Sequence, residues 1–336
     1  MGSLAMNVTV AAFDGCMTSA VYGLLDAFAL AARLSTRTDP SRWASHHVRL
    51  ATLNGKPVSG FGGFRIEPHC SLEEANASDV VLVPAILGDI EKALERESGL
   101  VAWLSGLKSQ PMLMASACTG AFLLAEAGLL NGRRVTTNPF YRSLFEARYP
   151  SVRLALDERI VEDRKVICAG STSSVLDLAV HIVDRLGGHD LAISTAKALS
   201  IDRNPGSQRP YLLFIAPRDH GDASILRVQE WIEARHSEPI GARAMAASGH
   251  MSVRNLNRRF RAATGMAPLD YLRIVRLETA KRLLELDRAP IKQVAEQVGY
   301  GDVRAFIRAF GAWAGIPPNQ YRTRFRSASS QNAMSG

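Results

Sequence analysis

The first two hundred residues alternate short apolar runs with longer stretches in which apolar positions recur every three or four residues. Asn7 to Phe13 is the first run, and it ends at Asp14-Gly15, as a strand entering a turn would. Met17 to Leu34 then carries Val21, Leu24, Leu25, Phe28 and Ala32 at helical steps. Strand-like runs follow at Val48 to Leu53 and Val58 to Ile66, the second broken by Gly60, Gly62 and Gly63 as in a hairpin or bulge. Asp79 to Pro84 predicts a buried strand, Ile90 to Leu107 a helix, Met112 to Ala117 another buried strand and Gly120 to Leu130 another helix. Arg134 to Thr137, Val152 to Leu156, Ile160 to Glu162 and Lys165 to Ala169 read as short strands, and Phe140 to Tyr149, Ser174 to Leu186 and Asp190 to Leu199 as helices. This alternation predicts an α/β domain, a parallel sheet with helices on both faces.

The pattern then lapses. Residues 201–222 contain Asn204-Pro205-Gly206, Arg209-Pro210 and Pro217, the composition of a linker between a domain at 1–200 and a second at 223–326, with a disordered tail at 327–336. From Ala223 to Phe325 everything reads as helices joined by short turns. Gly241 to Ala247, a turn at Gly249, and a basic helix capped by Ser252 form a helix-turn-helix signature. Ile291 to Val298, the Gly299-Tyr300-Gly301 turn, and Asp302 to Trp313 repeat it. Between the copies, Pro268 to Leu286 is one unbroken helical pattern, roughly 28 Å long at 1.5 Å per residue. Neighbouring major-groove segments on one face of B-DNA lie about 34 Å apart, so such a helix could set two recognition helices into adjacent grooves.

Charge sharpens this division. Residues 223–326 hold 18 Lys and Arg against 9 Asp and Glu, whereas the rest of the chain holds 22 against 23. The excess positive charge of a chain with formal net charge +8 therefore sits in its last third and points to a polyanion, double-stranded DNA, as partner of that part. Arg254, Asn257, Arg258 and Arg304 suit guanine or adenine edges, and Val303 and Ile307 could touch thymine methyls. Arg261, Arg308, Arg322, Arg324 and Arg326 suit phosphates. A solvated helix face is the plain alternative for any one of these, but not for arginines gathered on two such helices.

In the N-terminal domain the chemistry gathers at Cys118, placed where a strand turns sharply into a helix, as in a nucleophile elbow. Backbone N–H groups at such a corner favour a thiolate or a bound anion, while the plain alternative is an inert buried thiol. Three loops should converge beyond the strand ends, at Asp14 to Met17, Ala117 to Gly120 and Gly170 to Ser173. Asp14, Gly15, Cys118, Thr119, Asn138, Gly170 and Ser171 are the candidate ligand-binding residues. Trp43, Trp103, Phe140 and Tyr141 could add an aromatic cage, with core packing as their alternative role. The four cysteines lack metal-ligand spacing, so neither a metal site nor a disulfide frame is expected, and no cofactor. No apolar run reaches the roughly 18 residues of a membrane span, and the start of the chain lacks a signal-peptide pattern, so a cytoplasmic protein without membrane attachment is expected.

These residues carry a family resemblance. Ser252, Leu256, Arg258, Phe260, Gly265, Pro268 and Tyr271, then Ile291, Val294, Ala295, Gly299, Tyr300, Phe306, Arg308 and Phe310, then Gly315, Pro318, Tyr321 and Arg322 resemble the AraC-type DNA-binding domain. Cys118-Thr119-Gly120-Ala121, the Leu124 to Leu130 helix end, Thr136-Thr137, the Gly170 turn with Asp177 and Leu178, and Gln208 resemble the PfpI-like, class I glutamine-amidotransferase-like fold, so that the whole resembles the GlxA-type subgroup of AraC regulators. The resemblance implies a flavodoxin-like sensor domain, binding to a promoter operator with RNA polymerase as a further partner, usually activation, a homodimer formed through the α/β domain, and a small effector such as an amino acid or quaternary amine. Two positions depart from the pattern. Asn138-Pro139 replaces the histidine and tryptophan that commonly follow the paired threonines, and Thr119 replaces the histidine that hydrolytic relatives place after the elbow cysteine. Neither residue titrates near neutral pH, so no catalytic residue is assigned. A cysteine hydrolase or lyase, or a redox sensor using Cys118, is the alternative.

Overall fold

The computed structural model describes residues 7–38, 47–75, 78–202, 206–212, 214, 216–218, 220–286 and 288–326. It divides into two compact units, Met1–Gln208 and Arg209–Gly336. The tail predicted at 327–336 lies outside the described residues, as does Trp43.

In the first unit the chain runs through β1 (Asn7–Ala11), α1 (Thr18–Thr38), β2 (His47–Thr52), β3 (Val58–Ser59), β4 (Arg65–Ile66), β5 (Cys70–Ser71) and β6 (Val80–Val83). It continues through α2 (Ile90–Arg96), α3 (Ser98–Gly106), β7 (Leu113–Ala117), α4 (Ala121–Glu126), β8 (Arg134–Val135), α5 (Arg142–Arg148) and β9 (Arg153–Leu154). It closes with β10 (Ile160–Asp163), β11 (Val166–Ala169), α6 (Val175–Gly187) and α7 (His189–Ala198). Seven strands form one sheet in the order β10-β11-β7-β6-β1-β2-β5. Strands β6 and β11 are buried at every position, as expected of parallel strands covered on both faces. Helix α1 packs with α6 and α7, and α4 with α2 and α3. Right-handed crossovers from β1 to β2 and from β6 to β7, running in opposite directions along the sheet, put these two groups on opposite faces.

The fold is the α/β architecture expected, with three local corrections. The sheet is parallel except at its edge, where β10 pairs antiparallel with β11. Only Arg164 and Lys165 separate them, too few for a parallel crossover, and Arg164 takes φ 61 to close the turn. The single helix expected over Ile90 to Leu107 is two, hinged at Glu97 (φ −91, ψ 23). Neither Gly nor Pro marks the hinge; Arg96 Nε bonds the Glu97 carboxylate at 2.9 Å while its Nη2 reaches the Asp14 carbonyl. The helix expected from Gly120 to Leu130 stops at Glu126 because Gly128 turns left-handed (φ 72) and the Leu129 N–H returns to the Leu124 carbonyl at 3.0 Å.

The second unit contains α8 (Ala223–Ala234), α9 (Ala242–Ser248), α10 (Val253–Thr264), α11 (Pro268–Leu286), α12 (Ile291–Gln297), α13 (Val303–Ala314) and α14 (Pro318–Phe325). It holds two cores. Ile225, Ile232, Met245, Leu256, Phe260 and Tyr271 form one, and Leu277, Leu284, Val294, Phe306, Phe310 and Tyr321 the other. Helix α11 contributes to both, so one continuous rod serves two packing units. No described helix is long and apolar enough to cross a membrane.

Part of the stretch read as linker belongs to these units. The Gln208 side chain is buried in the first, where its Nε2 donates to Thr136 Oγ1 (3.2 Å) and to the Leu156 carbonyl (2.5 Å). In the second, Arg209 Nη1 donates to the Ala312 carbonyl at 2.7 Å, and Lys281, 4% exposed, donates to the Leu212 carbonyl. Proline and glycine content signalled the loss of regular structure but not these side-chain anchors.

Candidate functional site

Strand β7 delivers Cys118 to the corner with φ 55, a left-handed backbone that residues other than glycine rarely adopt. A three-residue 3-10 turn, Cys118–Gly120, and the six-residue α4 follow. Gly120 is required by close approach: a Cβ there would lie 2.5 Å from the Val83 carbonyl oxygen and 2.6 Å from that of Pro84. The elbow is thereby pressed onto the end of β6.

Cys118 is 1% exposed. Its Sγ accepts from Asn138 Nδ2 at 3.5 Å and lies 3.8 Å from Thr172 Oγ1, while Thr137 Oγ1 donates to its carbonyl at 2.9 Å. Thr119 donates to the Ile86 carbonyl at 2.6 Å. Burial, and then the neighbouring Cys118, push the Tyr141 phenol above its ordinary value. His69 accepts from the Leu50 N–H and His181 meets Glu162, so these two histidines are engaged elsewhere.

The predicted ligand residues thus fall into two groups. Cys118, Thr119 and Asn138 meet the Gly170 turn through Thr172, whose role the sequence reading did not pick out. Ser171 Oγ is tied to Ser174 Oγ at 2.6 Å, and Gly170 has no room for a Cβ because the Gln208 amide lies against it. Asp14 and Gly15 instead hold the β3–β4 hairpin: Asp14 Oδ1 accepts from Ser59 N at 2.8 Å, and Gly15 N donates to the Ser59 carbonyl at 2.7 Å. The segment Ile86-Leu87 joins the groups, since Leu87 N–H reaches the Gly15 carbonyl and Thr119 the Ile86 carbonyl.

Strand order reverses between β1 and β6, and there a cleft of about 410 Å³ opens among Met17, Thr18, Ser19, Tyr22, Phe61, Phe64 and Leu87. Ligands of open α/β sheets bind at such reversals. A second cavity, about 510 Å³, adjoins β10 and α6; its Asp177 is paired with Arg159 at 2.5 Å and its Glu162 with His181 at 2.8 Å. Of the proposed cage, Trp103 packs against the core, and Phe140 and Tyr141 contact each other edge to face at 4.9 Å. Burial pushes the Cys16 and Cys168 thiols up to about 11.

The second unit presents another kind of site. Ser252 Oγ accepts from Asn255 N at 3.2 Å to cap α10, and Asp302 Oδ1 accepts from Arg304 N at 2.9 Å to cap α13. Gly265 (φ 74) and Gly315 (φ 75) end the same helices. Caps, core phenylalanines (Phe260, Phe310), end glycines, prolines (Pro268, Pro318) and tyrosines (Tyr271, Tyr321) recur at an offset of 50 residues. Each tyrosine bonds a carboxylate on an earlier helix of its unit, Tyr271 to Glu233 and Tyr321 to Glu285 (2.6 Å).

Arg254, Arg258, Arg261, Arg304, Ile307 and Arg308 are exposed, and Asn257 and Val303 half-buried. Steps of three and four residues place 254, 257, 258 and 261 on one face of α10, and 304, 307, 308 and 311 on one face of α13. Arg258 donates to Asn255 Oδ1 at 3.0 Å. Arg259, next to Arg258 in sequence, is half-buried and grips both carboxylate oxygens of Asp222 through Nε and Nη2 (2.9 and 2.6 Å), holding that carboxyl below its ordinary range. Arg322 donates to the Ala289 carbonyl and Arg324 stacks on Tyr211, so neither side chain stands unengaged.

Comparison with known proteins matches both domains. A model of the DJ-1/PfpI family matches residues 6–185, and a helix-turn-helix domain model matches residues 245–324. The HTH-type transcriptional regulator GbdR of Pseudomonas aeruginosa is 26% identical over 311 residues, covering 89% of this chain and 82% of that protein. CdhR, an HTH-type transcriptional regulator of the same organism, is 28% identical over 286 residues, 84% of this chain and 82% of its own. Isonitrile hydratase of Pseudomonas putida is 29% identical over 146 residues, 43% of this chain and 61% of the enzyme. Among solved structures, Drosophila melanogaster DJ-1beta (TM-score 0.50, 21% identity) covers 59% of this chain and 100% of its own. A putative transcriptional regulator from Vibrio parahaemolyticus (TM-score 0.51, 19% identity) covers 58% of this chain and 99% of its own. These two likenesses concern the fold alone.

Proposed function

The chain belongs to the DJ-1/PfpI family and joins to that domain a helix-turn-helix domain of the AraC type, and from this premise we propose that it is a sequence-specific transcriptional regulator controlled by a small metabolite. The observation that carries this reading is the pair of capped helices α10 and α13 with arginines exposed at aligned positions, Arg254 with Arg304 and Arg258 with Arg308. Arg254, Asn257, Arg258, Val303, Arg304 and Ile307 would read base edges, with Arg261 and Arg308 on phosphates. Selection of operators from randomised duplexes by the full chain tests this. Equal affinity for selected and random DNA would overturn it.

The effector is proposed to bind in the N-terminal domain, in the crevice framed by Asp14, Gly15, Cys118, Thr119, Asn138, Gly170 and Ser171. Support comes from the cleft at the strand-order reversal and from the Leu87-Ile86 segment that ties it to Thr119. Because Cys118 is sealed beneath Asn138 and Thr172, the thiol would form the floor of that site rather than its mouth. A panel of amino acids, amines and betaines provides the test: the effector should raise the melting temperature of the full chain, less so in Tyr22→Ala, and change operator affinity. If no compound moves either quantity, the sensor reading fails. A homodimer through the α/β domain belongs to the same proposal, and sedimentation of the full chain tests it.

The left-handed backbone at Cys118 favours one further reading, a thiol-dependent hydrolase or lyase, since strained corners of this kind often carry chemistry. Its side-chain neighbours Asn138 and Thr172 offer no proton acceptor near neutral pH, which weighs against it. Amide or isonitrile turnover lost in Cys118→Ala would revive it.

A further inference from the structure

The two helix-turn-helix units are built alike inside and differently outside. Fifty residues apart, Arg254 aligns with Arg304 and Arg258 with Arg308, but Asn257 aligns with Ile307 and Arg261 with Gly311. Ile307 is 40% exposed, one of the few large apolar side chains left open to solvent among the described residues of this unit. Gly311 has an ordinary helical backbone, and a Cβ added there would meet nothing within 4 Å. Neither residue is explained by the chain's own packing. Both also work against the helix, since a β-branched residue and above all a mid-helix glycine lower its intrinsic stability. The face they share with the exposed Arg304 and Arg308 is one on which an apolar group and an unobstructed backbone would suit something outside the chain.

Of the groups in the major groove, the thymine C5-methyl is the apolar one. On α10, by contrast, the aligned positions carry the Asn257 amide and the Arg261 guanidinium, which suit hydrogen-bonding edges and phosphates. Resting on the DNA-binding reading above, we infer that α13 reads a thymine methyl through Ile307, with Gly311 allowing the helix backbone to approach closely, so that the two units read chemically different half-sites. The chain then docks on an operator in one orientation despite its internal repeat.

The test replaces thymines one at a time by deoxyuridine, which removes only the methyl, in an operator selected by the full wild-type chain. One position, in the block protected by α13, should lose about fourfold in affinity, the equivalent of one buried methyl. In Ile307→Ala, thymine and deoxyuridine at that position should bind equally, with the melting temperature of the variant showing that its fold is retained. A selected operator on which the scan is flat, or an effect that persists undiminished in Ile307→Ala, overturns the inference and leaves sequence-specific binding standing. Failure to select any sequence removes both.

Discussion

The elbow around Cys118 and the outer faces of α10 and α13 are the two places where this chain concentrates functional side chains, and they treat those groups in opposite ways. At the elbow and the neighbouring hairpin most of the candidate polar groups are already spoken for: the thiol by Asn138 and Thr172 and Thr119 by Ile86 at the corner, Asp14 by Ser59 at the hairpin. On the helices, Arg254, Arg304 and Arg308 stand exposed, without a hydrogen bond or ion pair from their guanidinium groups among the described residues. A satisfied, buried constellation responds to a ligand by changing shape, whereas an unsatisfied, exposed one is completed by its partner. The difference suits a sensor coupled to a reader.

Salt should expose that contrast most strongly. If six or more phosphates are neutralised, raising salt from 50 to 200 mM should lower operator affinity about 10³-fold, measured by fluorescence anisotropy, while hardly moving the melting temperature. A comparable loss of stability would show that exposed ion pairs, not burial, hold the chain together. Alkali should do the reverse. The Cys16 and Cys168 thiols, raised from 9.0 to about 11, stay neutral in the folded chain while the unfolded chain ionises above pH 9. Their contribution is therefore complete below pH 9 and is lost as pH rises through 11, on the order of 2 kcal/mol for each thiol. Denaturant midpoints between pH 8 and 11 would reveal it, and Cys168→Ala should flatten the slope.

Smaller effects separate the two regions residue by residue. Gly120→Ala forces a methyl against two backbone carbonyls and should cost about 1–3 kcal/mol of stability, read from the denaturant midpoint of the N-terminal unit. Arg304→Ala should cost about 1–3 kcal/mol on the selected operator and broaden the selected sequence, whereas Arg308→Ala should weaken all sequences alike. Gly311→Ala, with open space for its methyl, should raise the stability of the second unit by about 0.5–1 kcal/mol. Lower operator affinity in that same stabilised variant would separate DNA approach from folding.

Much of this was legible in the sequence because it depends on period and spacing. The strand and helix alternation of the first unit, the bounds of α11, and the Ser252 and Asp302 caps follow from local rules. The hinge at Glu97 was not legible, because it is held by Arg96 reaching across to Asp14, residues far apart in the chain. The antiparallel edge could have been read from the two residues between β10 and β11. Thr172 and the anchoring role of Gln208, which stood out only through the family resemblance, were harder, since their partners come from distant loops. On the helices, sequence spacing placed Arg254 and Arg308 on the outer faces but did not separate Arg259, which is held by Asp222.

Helix α11 carries Tyr271 into one core and Leu284 into the other, and that shared use restricts how the chain can change length. Inserting one residue midway would rotate everything after it by about 100° and advance it by about 1.5 Å, swinging α13 off the duplex while leaving its own fold intact. Seven residues would restore the bearing to within about 20° but displace the second reader by roughly 10 Å, about three base pairs. If both helices read DNA as proposed, the spacing of the operator's two blocks follows from the residue count of a single helix. Among relatives with the same paired readers, that segment should admit substitutions on its exposed face and insertions hardly at all.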